Sequence, residues 1–273
     1  MEPEAHSSKT GPATSGFLNN TSIPLGVQLW SVKNDLARGI DPTLAKLAAT
    51  GFRFAEAAGY DVNSRTFFGL KPGVFRQKLV ATGMQCISAH APVSPETIHQ
   101  VLEDVYTLKA AYLICSLYPD AGRSAADYYR IAENYNHIGD IARKAGVHFG
   151  YHNHHFEFAP VEGERPIDIL LKNTDPELVT FELDLGWAVQ AGTAPETLFE
   201  AYPGRFPLWH LRDVDAEGTA VNAGDGMVHF HALQPLKKQA GFLYGIVETP
   251  SAATDGTDRV TASFNYIRRE QLY

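Results

Sequence analysis

Short apolar segments alternate with longer helical segments along nearly the whole chain, and this alternation constrains the fold more than any other feature. Eight apolar segments recur from Pro24 onward, and each is followed by a stretch with helical character. Strict alternation of strand and helix predicts a parallel sheet. Eight such units in about 250 residues match a closed (β/α)8 TIM barrel, of class α/β. An open doubly wound sheet is the alternative, but no Gly-x-Gly-x-x-Gly sequence follows a predicted strand.

The eight predicted strands are short, and prolines mark the start of several predicted helices. Prolines 42, 72 and 95 lie at the predicted first turns of helices, where proline is favoured. Further helices are predicted at 125–144, 228–239 and within 251–269. The predicted strands are 26–31, 51–56, 85–90, 111–116, 147–154, 179–185, 207–211 and 245–249.

The chain of 273 residues is long enough for one barrel or two small domains. We predict a single TIM-barrel catalytic domain over 24–273, preceded by a flexible tail over 1–23. The tail is rich in Ser, Thr, Pro, Gly and Asn and has no periodicity. It has neither a basic segment nor an apolar core of a secretory signal. The compartment is therefore left open between the cytoplasm and, if a signal has been removed, the periplasm.

Charge and hydropathy exclude several classes of partner. The formal net charge is -8, which argues against a broad nucleic-acid-binding surface. No apolar run approaches the ~18 residues that a membrane span needs. Cys86 and Cys115 lie in apolar segments and are expected to be buried free thiols. A small molecule is thus the expected partner, and assembly into a homo-oligomer is left open.

Polar residues stand at the ends of the predicted strands, which is where a barrel places its chemistry. A carboxylate buried there is costly unless a cation or hydrogen bonds satisfy it. His152 and His154 are two apart, so they would share a face if both were in a strand. Imidazole and carboxylate ligands without thiolate suit Mn²⁺, Zn²⁺, Co²⁺ or Mg²⁺. The residues at these ends are Gln28, Trp30, Glu56, His90, His152, His154, Asp184, His210 and Glu248.

Several segments together resemble a known family over nearly the whole chain from Pro24. They are Gly26-Val27-Gln28-Leu29-Trp30-Ser31, Ser88-Ala89-His90, residues 151–158 (YHNHHFEF), Asp184-Leu185-Gly186-Trp187 with Ala191-Gly192, His210-Leu211-Arg212-Asp213, Gly224-Asp225-Gly226 and Val247-Glu248. On these segments the chain resembles the sugar phosphate isomerase/epimerase superfamily, the xylose isomerase-like barrels that include apurinic endonucleases. The resemblance implies one divalent metal ion with one ligand from each of strands five to eight. By position these ligands are His152, Asp184, His210 and Glu248.

Two positions depart from the family pattern. The epimerases carry glutamate as the strand-five ligand, where it and the strand-eight glutamate each move a proton. His152 occupies that position here, so a symmetric two-glutamate epimerisation is in doubt. Arg212 stands where the family often has lysine, and its guanidinium adds a fork of donors that suits a carboxylate, a phosphate or a vicinal diol.

The endonuclease branch of the family is excluded by two further departures. Its three-metal site needs a histidine three residues after the strand-six aspartate, and Trp187 occupies that position. It also needs Asp-x-His on the loop after strand seven, where this chain reads Gly224-Asp225-Gly226. With a net charge of -8, DNA cleavage is not expected. Beyond Gly224-Asp225-Gly226, which is short, no glycine-rich segment stands out as a phosphate-binding loop.

The resemblance implies chemistry at a carbon next to a metal-bound carbonyl of a keto sugar or polyol. Candidate catalytic bases are Glu248, His154 and Glu157, and His154 is alternatively a residue that orients a ligand. The expected activity is that of an isomerase or epimerase. A keto-sugar or inosose dehydratase or lyase is the alternative, and a non-catalytic sugar-binding barrel is the second alternative. The candidate substrate-binding residues are Gln28, Trp30, Glu56, His90, Trp187 and Arg212.

Overall fold

Eight parallel strands close into a barrel in the computed structural model, which describes residues 25–116, 123–250 and 255–272. Each strand pairs with the next along the chain, and the eighth pairs with the first. The predicted fold class is confirmed, and the predicted tail lies outside the described residues. The barrel strands are β1 (Leu25–Gln28), β2 (Phe54–Ala57), β3 (Gln85–His90), β4 (Tyr112–Ser116), β5 (His148–His152), β6 (Val179–Asp184), β7 (Leu208–Leu211) and β8 (Tyr244–Val247).

Helices surround the barrel, and its loops contain short 3-10 turns and two small antiparallel ribbons. The ribbons pair Tyr60–Asp61 with Thr66–Phe67 and Asp213–Val214 with Ala220–Val221. The 3-10 turns are Leu29–Val32, Phe156–Phe158 and Gln234–Leu236. The helices are α1 (Lys33–Arg38), α2 (Ile40–Thr50), α3 (Pro72–Ala81), α4 (Ile98–Leu108), α5 (Ala125–Lys144), α6 (Pro166–Asn173), α7 (Leu185–Gln190), α8 (Pro195–Ala201), α9 (Phe230–Leu233), α10 (Lys237–Ala240) and α11 (Gly256–Arg269).

Several predicted boundaries differ from those observed, and three of these differences bear on the site or have a clear local cause. β1 ends at Gln28, because its side chain accepts a hydrogen bond from the Trp30 amide and turns the chain into a 3-10 helix. β5 ends at His152, so the prediction that places His154 in the same strand is wrong. The predicted helix over 228–239 is divided into α9, a 3-10 turn and α10, and Pro235, which lacks an amide proton, lies at the break.

The interior of the barrel is apolar at one end and polar at the other. Tyr112, Ile114, Leu208 and Ile246 are buried together in a cluster separate from the main core. The main core lies between the outer faces of the strands and the helices. Leu208 and Ile246 lie two residues before His210 and Glu248 along the chain, and alternate residues of a strand share a face, so the apolar cluster lies one layer below a polar layer. This polar layer is at the carboxyl ends of the strands.

Two other expectations concern the cysteines and the membrane. Cys86 and Cys115 are buried free thiols, which confirms the prediction. Within the part of the chain that the structure describes, no helix has the length and apolar character needed to cross a bilayer.

Gly139 lets α5 pack closely on the turn before β6. A methyl group at this position would overlap the carbonyl oxygen of Leu178. We expect Gly139→Ala to lower the free energy of unfolding by about 1–3 kcal/mol, because overpacking outweighs the better helix propensity of alanine. Urea unfolding followed by circular dichroism measures this change.

Gly73→Ala is the matched control within α3. A methyl group there would meet only Thr107 at an ordinary contact distance of 3.8 Å. This substitution should leave stability unchanged or raise it by up to about 1 kcal/mol. Equal effects of the two substitutions would contradict the packing argument.

Candidate metal centre

Four side chains converge where β5, β6, β7 and β8 end. Each of His152, Asp184, His210 and Glu248 offers one ligand atom, and all four atoms lie within 4.8 Å of one another. His210 Nδ1 is 3.0 Å from His152 Nε2 and 2.9 Å from Glu248 Oε2. His152 Nε2 is 3.6 Å from Asp184 Oδ2. The structure therefore brings together the four residues that the sequence singled out.

The four residues fit a divalent cation. Asp184 Oδ1 accepts the Trp187 amide, whereas Oδ2 is buried and has no hydrogen-bond partner among the described residues. A buried carboxylate oxygen without a donor is costly, and a cation bound there would satisfy it. Two imidazoles and two carboxylates suit Zn²⁺, Mn²⁺ or Co²⁺. The site therefore has the geometry and chemistry of a divalent-metal site.

The electrostatics at three of the four positions favour the forms that bind a metal. Burial, together with the nearby His210 and His90, holds the pKa of His152 well below its ordinary value, so its imidazole is neutral. Burial raises the pKa of Asp184 and Glu248, but interactions with His210 and Arg212 outweigh this and lower both values. Neutral imidazole and ionised carboxylate are the states that coordinate metal ions.

A second polar layer lies directly beneath this site, in the barrel interior. Its members are Glu56, His90 and Glu182, and His210 reaches down to it through Nε2. His210 Nε2 is 2.7 Å from Glu56 Oε1 and 3.1 Å from Glu182 Oε2. His90 Nε2 is 2.7 Å from Glu182 Oε2 and 3.2 Å from Glu56 Oε1. Two carboxylates and two imidazoles thus share one buried layer.

Gln28 and Glu56 belong to this interior and not to a substrate surface. Glu56 is fully buried, and it accepts hydrogen bonds from Gln28, Ser88 and His210. Gln28 in turn uses its carbonyl oxygen to accept the Trp30 amide. The predicted role of Gln28 and Glu56 in substrate binding disagrees with these positions, because their polar groups are occupied by protein partners.

Arg212 and Trp187 lie beside the four converging side chains, and Trp30 lies in the turn directly after β1. Trp30 is 42% exposed, and the ammonium of Lys33 lies 3.8 Å from the centre of its ring. The guanidinium of Arg212 lies 4.2 Å from the ring centre of Trp187, and its Nη1 is 3.6 Å from Glu248 Oε2. The His90 side chain is partly exposed.

His154 lies beside the ligands although it follows the strand. Its ring centre is 5.1 Å from that of His152 and 6.0 Å from that of Trp187. Burial lowers the pKa of His154 to about 4, although Asp184 and Glu248 oppose this shift. Its Nδ1 is buried without a hydrogen-bond partner among the described residues. Burial thus keeps the imidazole neutral and also weakens it as a base, and Nδ1 lies 4.0 Å from Glu157 Oε1.

Glu157 lies outside the mouth of the barrel. Its fully buried carboxylate accepts the Tyr151 hydroxyl and, at 2.8 Å, the His154 amide. Tyr151 packs against Tyr135 and Phe181 in the main core, on the helix-facing side of β5. This position disagrees with the prediction of Glu157 as a catalytic base, because its carboxylate has no surface that substrate can reach.

The glycine segment after β7 is organised by a buried aspartate. Asp213 accepts the backbone amides of Val214, Gly224, Gly226 and Val228 at 2.9–3.1 Å. These amides point at Asp213, so those of Gly224 and Gly226 are already used. The segment is therefore not the phosphate cradle that its glycines suggested.

Two residues of the site were missed from the sequence. Glu182 is two residues before Asp184 in β6, and alternation along a strand places both in the barrel interior, so its position carried a signal. Asn153 fixes β6 by accepting the Asp184 amide at 3.0 Å. A contact between adjacent strand ends through a side-chain amide leaves no pattern in one sequence.

A closed (β/α)8 barrel that gathers two histidines and two carboxylates at the carboxyl ends of its strands defines the class of the fold and its candidate metal site. The chain belongs to the xylose isomerase-like TIM barrel family, whose model matches residues 44–269.

Three known proteins illustrate the similarity. Inosose dehydratase of Lacticaseibacillus casei is 29% identical over 134 residues, which are 42% of this chain and only 44% of that enzyme. A sugar phosphate isomerase/epimerase structure from Parabacteroides distasonis is 26% identical, covers 96% of this chain and 99% of its own, and has a TM-score of 0.79. An IolI protein structure with a bound zinc atom is 15% identical, covers 92% and 98%, and has a TM-score of 0.69.

Glu157 should make folding stability depend on pH near neutrality. Burial raises its pKa from an ordinary value of 4.5 to about 7, although several hydrogen bonds oppose this. Between these values the folded state keeps a proton that the unfolded state has lost, so stability falls as pH rises from 4.5 to 7. We expect Glu157→Gln to remove this dependence, which is on the order of 3 kcal/mol. Urea unfolding at pH 5 and pH 7.5 measures it.

Comparison of Glu157→Gln with the unmodified chain isolates the contribution of the Glu157 carboxyl. Other titrating residues are shared, so the difference in stability between Glu157→Gln and the unmodified chain should grow in favour of the variant as pH rises. A difference that is constant with pH would contradict the buried, protonated carboxyl.

Proposed function

We propose that this protein is a metal-dependent dehydratase or lyase that acts on a keto sugar or a cyclic keto polyol. The observation that carries the proposal is the single imidazole of His154 beside a His, Asp, His, Glu set in which histidine stands at the strand-five position. Such a site offers one free base instead of two carboxylates on opposite faces.

The ligands would be His152, Asp184, His210 and Glu248, and we favour Zn²⁺, Mn²⁺ or Co²⁺ over Mg²⁺ because two ligands are imidazoles. A divalent ion bound there supplies Lewis acidity that polarises the substrate carbonyl and makes the neighbouring C–H acidic. Trp30 and Trp187 would form apolar walls for the substrate ring. Arg212 would donate hydrogen bonds to its oxygens.

His154 would act as the base in a syn elimination. Its imidazole removes the proton from the carbon next to the carbonyl, and a double bond forms as the C–O bond at the next carbon breaks. The same imidazolium then returns the proton to the departing hydroxide, so water leaves and the residue is regenerated. One base suffices for this sequence, and the product is an unsaturated ketone.

Glu248 is the second predicted catalytic residue, and its role is more restricted. Its Oε2 lies in the ligand set, 2.9 Å from His210 Nδ1. We therefore assign it as a ligand that keeps negative charge near the reacting carbon. The similarity to inosose dehydratase supports elimination, although it covers less than half of that enzyme.

Isomerisation or epimerisation is the second candidate function. It is favoured by the similarity to the Parabacteroides distasonis structure, which extends over nearly the whole chain. Both reactions begin with removal of the same proton. They differ in whether the proton returns to carbon or leaves with a hydroxyl group.

Incubation with keto sugars and inosose-like ketones in D₂O distinguishes these functions. The protein is loaded with Zn²⁺, Mn²⁺, Co²⁺ or Mg²⁺, and products are followed by proton NMR. We expect loss of water and formation of an unsaturated ketone only with metal present. Deuterium uptake with a new isomer and no elimination would favour the isomerase, and no change in any substrate would contradict the proposal.

His154→Gln should reduce turnover about 10²–10⁴-fold, the usual contribution of a general base, without loss of bound metal. The adjacent His155 is exposed and supplies a matched control. His155→Gln should keep turnover within severalfold of the unmodified chain. Equal losses in both variants would argue against His154 as the base.

A further inference from the structure

His210 lies at the junction of the two polar layers. Its Nδ1 faces the ligand atoms of His152 and Glu248, at 3.0 and 2.9 Å. Its Nε2 faces downward, 2.7 Å from Glu56 Oε1 and 3.1 Å from Glu182 Oε2. The ring is completely buried, so water does not decide which nitrogen carries the proton.

The carboxylate of Glu56 is held in one position by side chains from the two neighbouring strands of the barrel. Gln28 on β1 donates to Oε1 at 2.6 Å, and Ser88 on β3 donates to Oε2. Both donors fix the carboxylate with its Oε1 toward His210. When a cation occupies the upper layer and takes the place of the proton on Nδ1, the ring would keep one proton, and an acceptor fixed against Nε2 would hold that proton on Nε2.

We propose that Glu56, assisted by Glu182, is a positioning residue for the metal centre: it accepts the Nε2 proton of His210 and thereby directs Nδ1 at the metal. The inference rests on the metal site of the proposed function, but it concerns affinity for the ion and not the reaction. Glu56 is the stronger partner because its Oε1 lies 2.7 Å from His210 Nε2, whereas Glu182 Oε2 lies 3.1 Å away.

The lower layer alternatively resembles a second cation site, since it contains two carboxylates and two imidazoles. The distances favour hydrogen bonds. His90 Nε2 to Glu182 and His210 Nε2 to Glu56 are both 2.7 Å, within the range for N–H···O bonds to carboxylates. Two imidazole protons thus already pair the two carboxylates.

The test measures zinc binding by competition with a chelator, using the full chain and Glu56→Gln. Glutamine keeps the size of the side chain and removes its charge. We expect the variant to bind zinc about 10–100-fold more weakly, and Glu182→Gln to lose less. The matched control is Asp104→Asn, a buried carboxylate held by Tyr60 and Arg65 outside the barrel interior, whose zinc affinity should be unchanged.

Nitrogen-15 NMR of the zinc-loaded proteins supplies a readout that a loss of stability would not move. In the unmodified chain His210 should show a metal-bound Nδ1 and a protonated Nε2 whose proton resonates far downfield. In folded Glu56→Gln that proton should move upfield and exchange faster with water, while Asp104→Asn leaves it in place.

Three results would overturn the inference. Equal zinc affinity of folded Glu56→Gln and the unmodified chain would remove the positioning role alone. Two zinc ions per chain, with one lost in Glu182→Gln, would make the lower layer a metal site. An unmodified chain that binds no zinc would overturn the proposed function as well. Failure of the positioning role alone is thus distinguishable from failure of the proposed function.

Discussion

Burial of carboxylates in the barrel interior is the constraint on which the rest of the site depends. Glu56, Glu182 and Asp184 are fully buried on the inner faces of the strands, where an isolated charge is very costly. His210 contacts carboxylates in both layers and is therefore the group that compensates most of them. Its own burial opposes a charge, but Glu182, Glu248 and Glu56 outweigh this and raise its pKa well above the ordinary value.

This charge balance explains why the two ends of the barrel interior differ. Tyr112, Ile114, Leu208 and Ile246 close the lower end without charge. The carboxylates of the polar layers above them are compensated by the imidazoles between them, by Arg212 beside Glu248, and by the donors Gln28 and Ser88 on Glu56. A divalent ion at the upper layer would satisfy Asp184 Oδ2 and give the negatively charged interior a partner at the end that substrate can reach. The strands that close the barrel therefore also carry the side chains of the candidate metal site.

The fold and the convergence of four polar side chains could be predicted because both leave regular patterns. Strand–helix alternation gave the barrel, and polar residues at apolar strand ends pointed to His152, Asp184, His210 and Glu248. The roles of Gln28, Glu56 and Glu157 could not be predicted, because a sequence does not reveal which polar groups already have protein partners. Glu157 follows a strand, yet it faces the helices through its hydrogen bond with Tyr151. The match to the family model supports the fold, whereas individual side-chain partners depend on contacts between distant segments.

The central claim is that one metal ion is held at the end of β5 by His152. A crystal structure of the zinc-loaded protein, with anomalous scattering at the zinc edge, tests it most directly. We expect a single peak about 2.0–2.2 Å from ligand atoms of His152, Asp184, His210 and Glu248. A peak ligated by His154 in place of His152, or lying between Glu56 and Glu182, would contradict it.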